Sequence, residues 1–164
     1  MRNILFMLAL SLTATAALAQ SDGTGEAVEK NRPSQSRNQS VEETLRSLGL
    51  TGTWAIDCSR LAGNGNIRAT FRSSNGKVTQ EQDVGGSENN YYEIQDVTVL
   101  AADRLRVTAR FHNSRGSEIN VIEWLLQNKR LRTMSNKTPD GQTFVVDGII
   151  LGNKRETPWL TYCE

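Results

Sequence analysis

Cysteine, histidine, proline and aromatic residues are all scarce in this chain of 164 residues, and each scarcity excludes something. Two cysteines and one histidine are too few for an ordinary zinc site, and no Cys/His group has metal-ligand spacing. Serine or cysteine nucleophiles need a base oriented by a third group. His112 stands among Asn113, Ser114 and Arg115 with no such arrangement in view. No catalytic residue, metal ligand or cofactor is therefore assigned, and an enzyme is the least favoured function class. The formal net charge is +1, so no field of one sign draws in nucleic acid or an anionic membrane. Aromatic residues make up 6% of the chain and are not interleaved with its arginines, which argues further against nucleic acid. Gly63-Asn64-Gly65-Asn66 lacks the strand-to-helix setting of a phosphate cradle, and the oxygen-bearing residues from Asp83 to Asn90 are not spaced as a calcium loop. Both read as turns or loops.

The N-terminus carries a targeting pattern. Arg2 supplies a positive charge, Ile4 to Leu18 form an apolar stretch broken only by Ser and Thr, and Ala17-Leu18-Ala19 is a small-x-small cleavage signal. Residues 1–19 read as a secretory signal peptide of a bacterial protein, bound for the periplasm or the medium. The run is shorter than the roughly 20 residues that span a bilayer, and no later segment is apolar enough to do so. Residues 20–39 are rich in Ser, Gln, Asn, Gly and charge, and cannot bury enough surface to offset ordering entropy. They are expected to form a disordered leader to a single domain, residues 40–164.

That domain begins with a capping box, Ser40-Val41-Glu42-Glu43, in which Ser40 caps and Glu43 reaches back to its amide. Val41, Leu45 and Leu48 follow at helical spacing and Gly49 stands where a C′ glycine belongs, so a short amphipathic helix is expected at 41–48. From Thr53 the period changes to two. Leu105, Val107, Ala109 and Phe111 alternate with Arg104, Arg106, Thr108 and Arg110, and Ile67, Ala69 and Phe71 do so with Arg68, Thr70 and Arg72. Asn75-Gly76 between two such runs is a strong hairpin signal, pairing Arg68 with Asp83, Thr70 with Glu81 and Phe71 with Gln80. Asn128-Lys129 and Pro139-Asp140-Gly141 mark further turns. Strands are expected near 53–59, 66–73, 77–84, 91–99, 104–111, 118–127, 130–137, 142–151 and 158–163. Short loops make this an antiparallel meander.

In an oxidising compartment Cys58 and Cys163 read most simply as a disulfide, the rival being two buried thiols. Both lie late in their strands, the first and the last. A bridge between those strands implies that the sheet closes on itself, which also removes its exposed edges. The fold class is thus all-β: a small antiparallel meander barrel of eight or nine strands, closed by a disulfide and preceded by a short helix. With nine strands the first and last would meet in parallel. A sandwich with an inter-sheet bridge is the alternative.

Gly52-Thr53-Trp54, after a short helix and opening the first strand of a meander, resembles the start of a lipocalin. The layout is similar to that of small exported bacterial barrels of the calycin kind and of barrel-type protease inhibitors. The lipocalin resemblance implies that Trp54 plugs one end and that the interior binds small apolar molecules. The chain departs from that family in lacking a Thr-Asp-Tyr segment and an arginine in its last strand.

Two further features bear on function. The Asn75-Gly76 register puts Gln80 and Gln82 on the same face as Ile67, Ala69 and Phe71, and the 139–141 turn places Asp147 beside Leu131 and Thr133. Buried polar groups need partners, water or a ligand. An interior mixing Trp54, Phe71, Tyr92 or Tyr91, and Trp124 with Gln80, Gln82 and Asp147 suits a partly polar ligand, unless the polar groups bond one another. Second, Val121, Leu125, Met134, Phe144 and Val146 form an apolar outer patch, for which the helix 41–48 is the nearest cover and a homodimer or partner protein the next. Seven outward arginines (Arg68, Arg72, Arg104, Arg106, Arg110, Arg130, Arg132) face Glu81, Asp83, Glu118 and Glu123 as available partners. Two functions remain open. One is a binding protein for a small envelope molecule. The other is a protein-interaction module, inhibitor-like or envelope-associated, acting through outer strands and loops such as 85–90 and 112–117.

Overall fold

The computed structural model describes residues 39–63, 65–86, 90–113 and 116–164. The expected signal peptide, the leader up to residue 38 and residues 64, 87–89 and 114–115 lie outside the described residues.

Helix α1 spans Val41–Ser47. Its capping box forms as expected: Glu43 N donates to Ser40 Oγ at 3.2 Å, and Ser40 N donates to Glu43 Oε2 at 2.9 Å. Those two bonds hold the Glu43 carboxyl below its usual range. Gly49 adopts φ 68°, the left-handed C′ conformation that lets the chain leave the helix.

Eight strands then close into an antiparallel barrel: β1 (Gly52–Ala55), β2 (Arg68–Ser74), β3 (Lys77–Asp83), β4 (Asn90–Ala101), β5 (Arg104–Asn113), β6 (Gly116–Gln127), β7 (Arg130–Lys137) and the C-terminal strand Leu160–Cys163. The hairpin signals act as anticipated. Asn75 and Gly76 take φ 52° and 74°, and Asn128 and Lys129 take 52° and 56°, so both two-residue turns have the paired positive φ that follows the twist of the strands. Arg68 pairs with Asp83, Thr70 with Glu81 and Phe71 with Gln80. On the outer surface Arg106 meets Glu123 at 2.9 Å and Arg72 meets Glu81 at 3.9 Å.

Closure differs in detail from the expectation. The last strand pairs with β1 antiparallel, Thr53 opposite Cys163, because the ring holds an even number of strands. A parallel meeting would need an odd number. β1 ends at Ala55 and Cys58 lies in the turn beyond it, from which it bonds Cys163 across a Cα separation of 5.5 Å. The connecting loop is organised by Asn66, which is fully buried. Its Nδ2 donates to the carbonyls of Asp57, Arg60 and Leu61 at 3.0–3.1 Å, and its Oδ1 accepts from Asp57 N at 2.9 Å.

The meander is also interrupted. The stretch 142–151 is not one strand but β8 (Thr143–Val146) and β9 (Ile149–Ile150), folded back at Asp147 and Gly148 (φ 49° and 76°), followed by β10 (Arg155–Glu156). The C-terminal strand, β11, then returns to the barrel. One side of β7 pairs with β6 throughout. The other is shared: Arg130 and Leu131 pair with β11, whereas Asn136 and Lys137 pair with β8.

The core runs through the barrel and includes Leu45, Leu50, Trp54, Phe71, Leu105, Val107 and Trp124, each at most 2% exposed. Helix α1 packs against β3 and β4 and sends Leu45 into this core. It therefore seals the barrel end that carries the 75–76, 102–103 and 128–129 turns, and is not the cover expected for the outer patch on β6 to β8. In that patch Val146 is 44% exposed, while Val121, Leu125, Met134 and Phe144 are half-buried.

Candidate ligand-binding cavity in the barrel

The two ends of the barrel are built from different chemistry. At the helix end Trp54 donates its indole N–H to Leu50 O at 3.0 Å and meets Tyr162 edge-on with ring centroids 5.3 Å apart. Leu45 and Leu50 fill the space around it. Outside this plug, between the helix C-terminus and the 128–129 turn, a groove of about 600 Å³ is lined by Leu48, Leu126 and Tyr162 with Arg46 and Lys129 at its rim.

The opposite end is hollow. A cavity of about 400 Å³ opens there, walled by inner-face residues of β3, β4, β6, β7 and β11 together with the β8–β10 excursion. Its apolar walls are Ile67, Trp124, Leu131, Val145, Ile150 and Leu160. Its polar groups are mostly uncharged: Gln80, Gln82, Asn90, Tyr92, Thr133 and Asn136. Two-residue alternation explains the placement. Gln80 is opposite Phe71 on β2 and Tyr92 on β4, so all three share the inner face, and Gln82 is opposite Ala69 and Asn90 in the same way.

Packing fixes these groups. Gln80 is only 3% exposed. Phe71 stands perpendicular to Trp124, centroids 5.5 Å apart, and Phe111 lies 4.8 Å from Tyr92. Burial, and secondarily the charge of Glu118, push the Tyr92 hydroxyl up to about 12, so it stays protonated and uncharged at neutral pH. The Oδ1 atom of Asn136 is buried without a hydrogen-bond partner, as is Nδ2 of Asn120, two residues before the Ile122 that pairs with Asn136. Unpaired buried polar atoms of this kind call for a bound group or water.

One side of the cavity is a seam. Between Leu131 and Asn136 this edge of β7 pairs with no strand among the described residues; Gly148 N donates to Met134 O at 2.8 Å, and side chains bridge the rest of the opening. Arg132 donates from Nε to Thr157 Oγ1 and from Nη2 to Gly148 O and Glu156 Oε2, all at 3.1 Å. Thr157 Oγ1 donates in turn to Thr133 O at 2.6 Å. Arg130 and Arg132 also lie over Trp159, at 4.9 and 5.7 Å from its ring centroid.

Of the residues expected to line a pocket, Gln80, Gln82, Tyr92 and Trp124 do converge on the cavity. Phe71 supports it from behind through Trp124, and Trp54 belongs to the sealed end. Asp147 is exposed on the Asp-Gly turn and lies outside the lining, which corrects its expected inward position. The shift follows from that turn, which reverses the chain at Asp147 and leaves its side chain outside while Gly148 N donates to Met134 O at 2.8 Å. Sequence reasoning missed Asn136, Arg132 and Thr157. The first was legible from alternation on β7 once the bulge opposite Glu123 and Trp124 is allowed for; the other two depend on the excursion.

Among the described residues no group of acidic, His or Cys side chains could hold a metal ion, and no helix is long and apolar enough to cross a membrane. Comparison with models of protein families, with curated proteins and with solved structures finds no match in any of the three.

Proposed function

We propose that this protein is an exported, non-catalytic binding protein that holds a small molecule of the cell envelope in its barrel, in the manner that a lipocalin-like layout implies. The observation that carries this reading is the cavity of about 400 Å³, which falls within the size range of small-molecule sites. Its mixture of aromatic and aliphatic wall with a few convergent polar groups is the usual composition of such sites. A merely packed barrel would satisfy or exclude its inner polar atoms, yet Asn136 Oδ1 stays buried and unpaired. The disulfide supports export, since such bonds persist in oxidising compartments.

A second reading, a protein-interaction module acting through loops and outer strands, is favoured by Leu61, 89% exposed in the β1–β2 connection, with Val84 and Tyr91 also exposed. Native mass spectrometry of protein isolated from its own envelope separates the two. A small mass increment lost on denaturation supports the ligand reading. A second polypeptide in its place supports the interaction reading, and the bare chain mass contradicts the first.

A further inference from the structure

Resting on the binding reading above, we infer that the molecule held in the cavity is uncharged and presents both a hydrogen-bond donor and an acceptor, as an amide or hydroxyl-bearing compound on an apolar body does. The cavity has little with which to neutralise an ion. Its carboxamides Gln80, Gln82, Asn90 and Asn136 carry no charge. Arg132 is the charged residue in the lining, and its Nε and Nη2 are engaged by Thr157, Gly148 O and the Glu156 carboxylate. Burying an ionised ligand without a matching charge is strongly unfavourable, so ions are selected against. Glu118 stands close enough to act on Tyr92 but is itself exposed, where solvent screens it.

What the cavity offers instead is two-way hydrogen bonding. Every carboxamide has one acceptor and one donor end, and so matches a group that has both. Asn136 Oδ1, a lining atom, is buried and unpaired and so requires a donor, and the amide N–H groups of Gln80 and Gln82 in the same lining offer donors to an acceptor. A molecule that left Asn136 Oδ1 unmet would forfeit about 1–3 kcal/mol, which gives the site a means of discrimination as well as affinity. The Trp124 and Tyr92 rings, held by Phe71 and Phe111, give an apolar body something to lie against.

The test uses protein stripped of adducts by unfolding and refolding with its disulfide intact. An extract of the native envelope is divided by ion exchange into neutral, anionic and cationic pools, and each is added to the protein for native mass spectrometry and thermal-shift measurement. The neutral pool is expected to restore the mass increment and raise Tm. The compound recovered from it is then tested against a methylated or acetylated derivative that has lost its donors, with at least a tenfold loss of affinity expected. Gln80→Leu and Asn136→Leu, two independent variants, should each weaken uptake at least tenfold while Tm without ligand stays within a few degrees of the parent protein. Should one of them misfold, the other decides. Uptake from the anionic or cationic pool overturns the inference but leaves the binding reading standing. Undiminished uptake by a folded variant or of the blocked derivative likewise overturns it. Uptake from no pool removes both.

Discussion

The sealed end and the open end of this barrel share the same strands yet obey different rules. Around Trp54 every inward group is apolar or, like the indole N–H, already paired with backbone, so the barrel interior is packed there and the groove of about 600 Å³ lies on the outer side of the plug. Around Trp124 the same two-residue alternation delivers carboxamides among the aliphatics, and a void remains. Apolar packing thus closes one end of the barrel and stops short of the other. Beyond that point the inner face is free to carry chemistry.

The largest effect is expected from Cys58→Ser, which removes the bond tying the β1–β2 connection to the last strand. A closed loop of this length corresponds to about 4–5 kcal/mol in the chain-entropy account, measurable by urea denaturation. Leu45→Ala at the sealed end leaves a hole under the helix and is expected to cost about 2–5 kcal/mol, read in the same way. Arg132→Leu should cost about 2 kcal/mol by freeing the seam. Hydrogen exchange would rise in residues 143–157 ahead of the barrel strands; uniform acceleration would contradict a local latch.

Tyr92 gives a pH-dependent contrast. Its folded pKa is raised to about 12 from an ordinary 10, so the folded state holds the proton more tightly. Stability is therefore unaffected by this group below about pH 10 and declines as pH rises from there towards 12. Tyr92→Phe should flatten that decline in alkaline unfolding curves, and an unchanged slope would show that another group is responsible. The smallest effect on folding belongs to Gln80→Leu at the open end, which exchanges a buried polar group for an apolar one and should leave stability near that of the parent protein.

Much of the fold was legible in the sequence because local signals agreed with one another. Asn75-Gly76 set a register that alternation confirmed, and the capping box fixed where the helix begins. Gln80 and Gln82 follow from that register and Trp124 from the alternation of its own strand, whereas the sequence leaves Tyr91 and Tyr92 as alternatives that the pairing of Tyr92 with Gln80 decides. The excursion was not read. Thr143 to Leu151 is apolar enough to pass for one strand, and Asp147-Gly148 inside it is the same kind of hairpin signal as Asn75-Gly76. Carrying the register of the 139–141 turn through that stretch is what puts position 147 inside the barrel. Arg132 was equally opaque: on alternation it belongs to an outward basic stripe, and only the returning chain shows it what to bind. Asn66 stands in a Gly-Asn turn pattern whose role emerges when the loop folds around its side chain.

The most direct test of an open, ligand-holding end opposite a sealed one is a nitrogen-resolved NMR spectrum of the stripped protein before and after adding native envelope extract. The account predicts that the Trp124 indole and the side-chain amides of Gln80, Gln82 and Asn136 shift together while the Trp54 indole stays in place. Movement of the Trp54 indole, or shifts confined to outward residues such as Leu61 and Val146, would contradict it.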